Sequence, residues 1–162
     1  MDNTKKIIIA VVLLVAAGGI IVWHLSGGQG PVTARGVYFY DLSEGELFNA
    51  PSDRVPPFQR GKGTAVRAHV FVCSDGGEQF IGFLEKFGPQ AHGMIESLLK
   101  NSKMGSPEQL IAQGQIPPDQ HLVAGPDAPE EWHPAQSQQG RRITSAPRQK
   151  CDGAAKEVKP GG

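Results

Sequence analysis

The chain contains little cysteine and no excess of either charge, and both shortages narrow its possible functions. It has 2 Cys in 162 residues, and 16 Lys and Arg balance 16 Asp and Glu. A balanced charge gives no general attraction to a nucleic acid, so we expect no nucleic-acid partner. Two cysteines are too few for the paired CxxC ligand sets of structural zinc sites.

Motifs for catalysis and cofactor binding are also missing. The basic loop at residues 60–64, RGKGT, departs from the phosphate-binding pattern GxxxxGK[ST], and no GxSxG elbow occurs. His69 and Cys73 are four residues apart, which on a strand is about 13 Å and too far for one metal ion. The sequence therefore predicts a protein that is not an enzyme, with no catalytic, cofactor-binding or metal-binding residue.

The most informative segment is the uncharged apolar run Ile7–Trp23. A bilayer span needs as few as about 17 such residues, so we predict a transmembrane helix over residues 7–25 that binds membrane lipid. Lys5 and Lys6 precede the run, and Trp23 is placed as an interfacial aromatic. The positive-inside rule then puts the N-terminus in the cytoplasm and the rest of the chain outside.

A cleaved signal peptide is the alternative interpretation of this segment. Val15-Ala16-Ala17 would provide a small-residue cleavage site. The chain stays apolar over Gly18–Trp23, beyond that site, which favours an uncleaved signal anchor. Both interpretations place residues 26–162 in the cell envelope, outside the cytoplasm.

Composition divides the chain into five segments. The segment Ser26–Thr33, SGGQGPVT, is typical of a flexible spacer and would hold the following domain near the bilayer. The predicted segments are a cytoplasmic N-terminus (1–6), a transmembrane helix (7–25), a spacer (26–34), an extracytoplasmic α+β domain (35–151) and a disordered tail (152–162).

Alternating hydrophobicity predicts the strands of that domain. Thr64–Cys73 alternates apolar side chains on one face and is the clearest strand. The turn signal Ser74–Gly77 follows, and Glu78–Phe87 is expected to return as the partner strand, although its spacing also fits a helix. Gly36–Leu42 predicts a further strand with a short return.

Helices are expected on one face of this sheet. Pro89–Lys100 has an apolar stripe at helical spacing, and Ser106–Gln113 begins with an N-cap serine and a proline. A last helix is expected near Ser137, limited by Pro147. The fold class predicted is α+β: a small antiparallel sheet of two hairpins, one or two covering helices and a loop-rich C-terminal half.

The two cysteines, Cys73 and Cys151, are candidates for a disulfide. Both follow the apolar run and would lie on the oxidising side, where disulfides persist. Two separate structural thiols, or a reactive nucleophile at Cys73, are the alternatives.

An exposed interaction surface is expected from Tyr38, Tyr40, His69 and Phe71, because a small sheet can bury only one face well. The locally basic segment 141–162 is a second candidate contact region.

Four segments, VYFYDL, AVRAHVFVC, FIGFLEKF and EWHPAQSQQG, look similar to uncharacterised single-pass, envelope-anchored bacterial proteins. The resemblance covers most of residues 36–151. It implies a bacterial envelope setting and adds no activity and no catalytic residue.

These observations favour a non-catalytic, membrane-tethered envelope protein that acts as an interaction or structural module near the bilayer, with an envelope protein as partner. Two alternatives stay open. One is a thiol- or histidine-dependent enzyme or redox protein using Cys73 or His69. The other is binding of a cell-envelope polymer through the aromatic face or the basic C-terminal tail.

Overall fold

The computed structural model describes residues 36–101, 106–151 and 154–160. They form one antiparallel sheet of eight strands and three helices, which confirms the α+β class. The elements follow one another as β1 (Gly36–Asp41), β2 (Glu46–Pro51), β3 (Phe58–Arg60), β4 (Gly63–Cys73), β5 (Phe80–Phe87), α1 (Pro89–Asn101), α2 (Pro107–Ala112), β6 (His121–Ala124), β7 (His133–Pro134), α3 (Gln138–Lys150) and β8 (Ala155–Val158).

The long strand β4 is the centre of the sheet and pairs with four other strands. Arg67 of β4 pairs with Phe39 of β1 and with Glu85 of β5, so β1 and β5 lie on opposite edges. Further along β4, Phe71 pairs with Glu157 of β8 on the edge opposite β5. β3 pairs with the start of β4, while β2 extends the sheet beyond β1, and β6 and β7 extend it beyond β5.

The predicted alternation of β4 gives the sheet two different faces. One face forms a buried apolar cluster with neighbouring strands, comprising Val66, Ala68, Val70, Leu84 and Ala124. Because successive side chains of a strand alternate, Arg67, His69, Phe71 and Cys73 lie on the other face, which we call the His69 face. The strand predicted at Thr64–Cys73 is confirmed. Its partner β5 is a strand as expected, and not the helix that its spacing also fitted.

Helices α1 and α2 pack at the β5 end of the His69 face. Phe87 of β5 is buried with Ala91 and Ile95 of α1 and Leu110 of α2. Ser106 has the extended backbone of an N-cap, and Pro107 is the first residue of α2, as its sequence predicts. Burying Phe87, Ile95 and Leu110 contributes about 1.5–3 kcal/mol for each side chain, so this cluster fixes both helices on the sheet.

A β-bulge brings the third helix onto the same face. His69 pairs with Phe83 but Val70 pairs with Ile81, which leaves Gly82 as the extra residue of β5. A Cβ atom at Gly82 would lie 2.5 Å from ring atoms of both Phe71 and Pro147, the latter in α3. Only a glycine therefore permits α3 to approach the sheet this closely.

The sheet is larger than the two hairpins that the sequence predicts, and the disordered tail predicted for residues 152–162 is wrong at Ala155–Val158. These residues form β8, which pairs with the end of β4. The backbone and the hydroxyl of Ser74 both donate to the carbonyl of Ala154, at 2.9 and 3.0 Å. These contacts are remote in sequence, so local composition does not reveal them.

The C-terminal half is also more regular than predicted. Ser137 caps α3 by accepting the amide of Gly140 at 3.0 Å, which matches the expected start. The helix does not end at Pro147 but continues to Lys150. A proline removes one helical hydrogen bond, and here the loss falls in the last turn, whose end is stabilised by the Cys151 amide bonding to the Pro147 carbonyl.

The predicted cytoplasmic N-terminus, transmembrane helix and spacer lie outside the described residues, and so do Lys5, Lys6 and Trp23. In the ranges that are described, no helix is both long enough and apolar enough to cross a bilayer.

Candidate functional site

A line of four ionisable side chains runs across the His69 face. His69 of β4 donates from Nδ1 to Oε1 of Glu157 in β8 at 2.8 Å and from Nε2 to Oε2 of Glu85 in β5 at 3.1 Å. His121, the first residue of β6, places Nε2 3.3 Å from the same Glu85 oxygen. Strand pairing therefore joins residues from four strands into one network.

The side chains of the network become more exposed from Glu85 through His69 to Glu157. The Glu85 side chain is 6% exposed and that of His69 11%, whereas that of Glu157 is 43% exposed. A buried charge is costly unless it is paired, so the two histidines are what permit a carboxylate at Glu85.

The hydrogen-bond pattern sets the protonation state of His69. Both its nitrogens face carboxylates, which only accept, so both must carry a hydrogen. Burial disfavours this charged ring, but the bonds to Glu157 and Glu85 outweigh burial and raise the pKa of His69 to about 8. At neutral pH the site is therefore a cation between two anions.

The pKa values of the two carboxylates, Glu85 and Glu157, are lowered, whereas that of His69 is raised. Burial acts to raise the pKa of Glu85, yet the contacts with His121 and His69 hold it well below its usual range. The hydrogen bond from His69 likewise lowers the pKa of Glu157, against a smaller opposing effect of burial. Both groups stay ionised at neutral pH.

Two buried polar atoms of the network lack a hydrogen-bond partner among the described residues, namely Oε1 of Glu85 and Nε2 of His121. The contact between His121 and Glu85 thus has an ion-pair distance without hydrogen-bond geometry. No three His, Cys, Asp or Glu side chains within residues 36–101, 106–151 and 154–160 are arranged to hold a metal ion.

Neighbouring side chains fix the network in place. The His69 ring stacks on Phe83 of β5, with centroids 4.2 Å apart and planes inclined by 16°. Arg67, two residues before His69, forms an ion pair with Glu108 of α2. The histidine therefore has little rotational freedom.

Two open clefts lie beside α3, on either side of Pro147. The first, which we call the Glu157 cleft, has a volume of about 350 Å³ and is lined by Phe71, Thr144, Ser145, Pro147, Arg148 and Glu157. The second has a volume of about 400 Å³, and its lining includes Phe80, Asp127 and Lys150. Glu157 connects the first cleft to the buried network.

Helix α3 is the most cationic element of the described chain. It carries Arg141, Arg142, Arg148 and Lys150 and no acidic residue. All four are exposed, and within the described ranges no carboxylate lies at ion-pair distance from them. The ammonium of Lys150 lies 4.1 Å from the centroid of the Phe80 ring. This helix presents uncompensated positive charge next to both clefts.

The predicted disulfide between Cys73 and Cys151 is confirmed. The sulfur atoms are bonded, and the two Cα atoms are 5.2 Å apart. The bond joins the end of β4 to the residue after α3, so it holds that helix at the edge of the clefts. Cys73 has no free thiol.

The structure does not bring the four predicted surface residues together. Tyr40 pairs with Val66 and Phe39 with Arg67, so Tyr38 and Tyr40 lie on the face opposite His69 and Phe71. His69 and Phe71 do lie together, near the Glu157 cleft. Tyr38 and Tyr40 thus belong to a different surface from His69 and Phe71.

Sequence reasoning missed Glu85, His121 and Glu157, the partners of His69. A signal existed in the strand patterns: Arg67 and His69 interrupt the apolar pattern of β4, and Glu85 with Lys86 interrupts that of β5. Such residues are seldom buried unless they are paired. The pairing itself depends on the register between distant strands, which no local pattern provides.

Comparisons with protein-family models, with curated proteins and with solved structures gave no match.

Proposed function

We propose that this chain is a non-catalytic, membrane-tethered envelope protein whose domain of residues 36–160 binds a partner close to the bilayer. The apolar run Ile7–Trp23 would anchor it, with Lys5 and Lys6 on the cytoplasmic side. The domain would lie outside the cytoplasm, a few residues from the membrane surface.

The observation that carries the location is the bond between Cys73 and Cys151. Disulfides persist in oxidising compartments and are rare in the cytosol. The bond fixes the end of α3 against the sheet. The surface of this helix is therefore held in place only in a compartment where the disulfide persists. The disulfide thus supports an envelope domain with a binding surface at α3.

A binding role is favoured over catalysis because the reactive side chains are engaged in the fold. Both nitrogens of His69 bond to carboxylates, and the sulfur of Cys73 is in a disulfide. A general base needs a free lone pair, and a thiolate nucleophile needs a free sulfur. The exposed cations of α3, in contrast, have no described carboxylate partner and are available to another molecule.

Orientation and binding can be tested together in intact membranes. A reporter that is active only outside the cytoplasm, fused after Gly162, should be active. Photo-crosslinking side chains placed at Arg141 or Arg148 of the full chain should give a discrete adduct, whereas one at Lys62, in the turn between β3 and β4, should not. A silent reporter would overturn the topology, and adducts absent from α3 would overturn the binding surface.

A further inference from the structure

The Glu157 cleft carries opposite charges that do not neutralise each other. Arg148 and Glu157 line the same space of about 350 Å³, yet they are not within ion-pair distance. Cavities of this size, with a few polar groups and an apolar wall, are typical of sites for small molecules. Arg148 has no described carboxylate partner, and Glu157 is paired only with His69 on its buried side, which leaves room for a ligand that contacts both residues.

Glu157 is held ready for such contact. Its Oε1 atom accepts from Nδ1 of His69, and among the described residues none donates to its Oε2 atom. The carboxylate is therefore oriented by a buried partner and still has an oxygen for the cleft. Because His69 already orients the carboxylate, the Glu157 side chain loses less entropy when a ligand binds.

The hydroxyl groups of α3 add acceptors. Thr144 and Ser145 donate to the carbonyls of Arg141 and Arg142 in the same helix, at 3.3 and 3.0 Å. Because their hydrogens are used, they present lone pairs to the cleft. These lone pairs suit a donor such as an ammonium group, and the ring of Phe71 and Pro147 supply apolar surface.

The charged groups that line the cleft favour one class of ligand. The free Oε2 atom of Glu157 only accepts hydrogen bonds and Arg148 only donates them, so the cleft suits a ligand that carries both a cationic donor and an anionic acceptor, as a zwitterion does. We propose that the Glu157 cleft binds a small zwitterion of the amino-acid type, with its carboxylate on Arg148, its ammonium on Glu157 and its hydrocarbon part on Phe71. This inference deepens the proposed binding function and depends on it. A free amino acid and a short peptide share this chemistry.

Calorimetric titration of the full chain in detergent micelles tests the proposal. The probes are alanine, alanyl-alanine, trialanine and the doubly blocked N-acetyl-alanine amide. We expect saturable binding of at least one of the three unblocked probes. The probe that binds best shows whether the ligand is a free amino acid or a short peptide. The blocked probe should bind at least about tenfold more weakly, because it carries neither the carboxylate nor the ammonium that makes the charged hydrogen bonds.

Matched variants locate the site. Arg148→Gln and Glu157→Gln should each weaken the best probe at least about tenfold, whereas Lys62→Gln, which removes an exposed charge in the turn between β3 and β4, should not. Thermal unfolding of each variant checks that it is folded.

Three results would overturn the proposal: no saturable binding of any free probe up to about 10 mM, equal affinity for the blocked probe, or wild-type affinity in both cleft variants. These results leave crosslinking at α3 and the reporter activity unaffected, so failure of the ligand class is distinguishable from failure of the binding module.

Discussion

Nδ1 of His69 lies 2.8 Å from Oε1 of Glu157, although 88 positions separate the two residues in the chain. The hydrogen bond ties the last strand, β8, to the central strand β4. It also makes one exposed carboxylate part of a buried network that continues to Glu85. A single histidine thus connects the C-terminal strand, the sheet interior and the wall of a cleft.

The stability of the domain should fall in mildly alkaline solution. The pKa of His69 rises to about 8 in the folded protein from an ordinary value of 6.5, so folding is favoured by protonation of this ring. The stabilisation is complete below about pH 6.5 and is lost as the pH rises through about 8, at most about 2 kcal/mol. Urea unfolding with the disulfide intact, at about pH 6 and about pH 9, measures the loss.

The matched control for this effect is another histidine of the same domain. His69→Gln should remove the alkaline loss, whereas His133→Gln, in β7 and outside the network, should retain it. Because the pKa values of Glu85 and Glu157 are lowered, their stabilisation is present above their ordinary range and lost as the pH falls below it. An alkaline loss unchanged by His69→Gln would contradict the assignment.

Neutralising Glu85 should change the titration of His69. Glu85→Gln keeps the shape of the side chain but removes one of two anions facing the ring, so we expect the pKa of His69 to fall by about one unit or more. Nuclear magnetic resonance titration of the ring protons measures it. Glu108→Gln, which removes the acidic partner of Arg67, should leave this pKa in place; equal shifts in the two variants would refute the network.

Substituting glycine by alanine should have opposite effects on stability at Gly82, in the bulge, and at Gly93, in α1. Gly82→Ala places a Cβ 2.5 Å from Phe71 and from Pro147, so it should lower the free energy of unfolding by about 1–3 kcal/mol. Gly93→Ala, in α1, meets no atom within 4 Å and should raise it by about 0.5–1 kcal/mol. Urea unfolding compares both with the parent chain, and a neutral Gly82→Ala would mean that α3 does not pack here.

Breaking the disulfide should have a large effect on stability. It closes a loop with a sequence separation of 78 residues, for which chain entropy estimates a stabilisation of about 4–5 kcal/mol. Cys151→Ser and the double variant with Cys73→Ser should lose similar amounts, and the double variant should be insensitive to reductant. Unfolding midpoints measured with and without reductant test this, and a parent chain indifferent to reductant would disagree.

Local features of the fold could be predicted from the sequence, because they depend on neighbouring residues. Alternation identifies Thr64–Cys73, the helical stripe identifies Pro89–Lys100, and the presence of only two cysteines limits the possible pairings to one. The structure agrees with each of these within a residue or two at the ends.

The remaining features depend on contacts between distant parts of the chain. β8 is short and lies in a basic tail, and its partner on β4 is more than eighty residues away. The site shows the same dependence: His69 stood out in the sequence, but which carboxylates would face it was decided by the register of β5 and β8. Pro147 suggested a helix end, but α3 continues to Lys150, where the Cys151 amide bonds to the Pro147 carbonyl and the disulfide to distant Cys73 holds the next residue.

We propose that a membrane anchor carries a disulfide-bonded domain to the oxidising side of the bilayer. The decisive experiment is to label the full chain in fractionated cells with a thiol-reactive polymer, before and after reduction. We expect the chain in the membrane fraction, with Cys73 and Cys151 labelled only after reductant is added. An unprocessed chain in the soluble fraction, with both cysteines labelled without reductant, would contradict it.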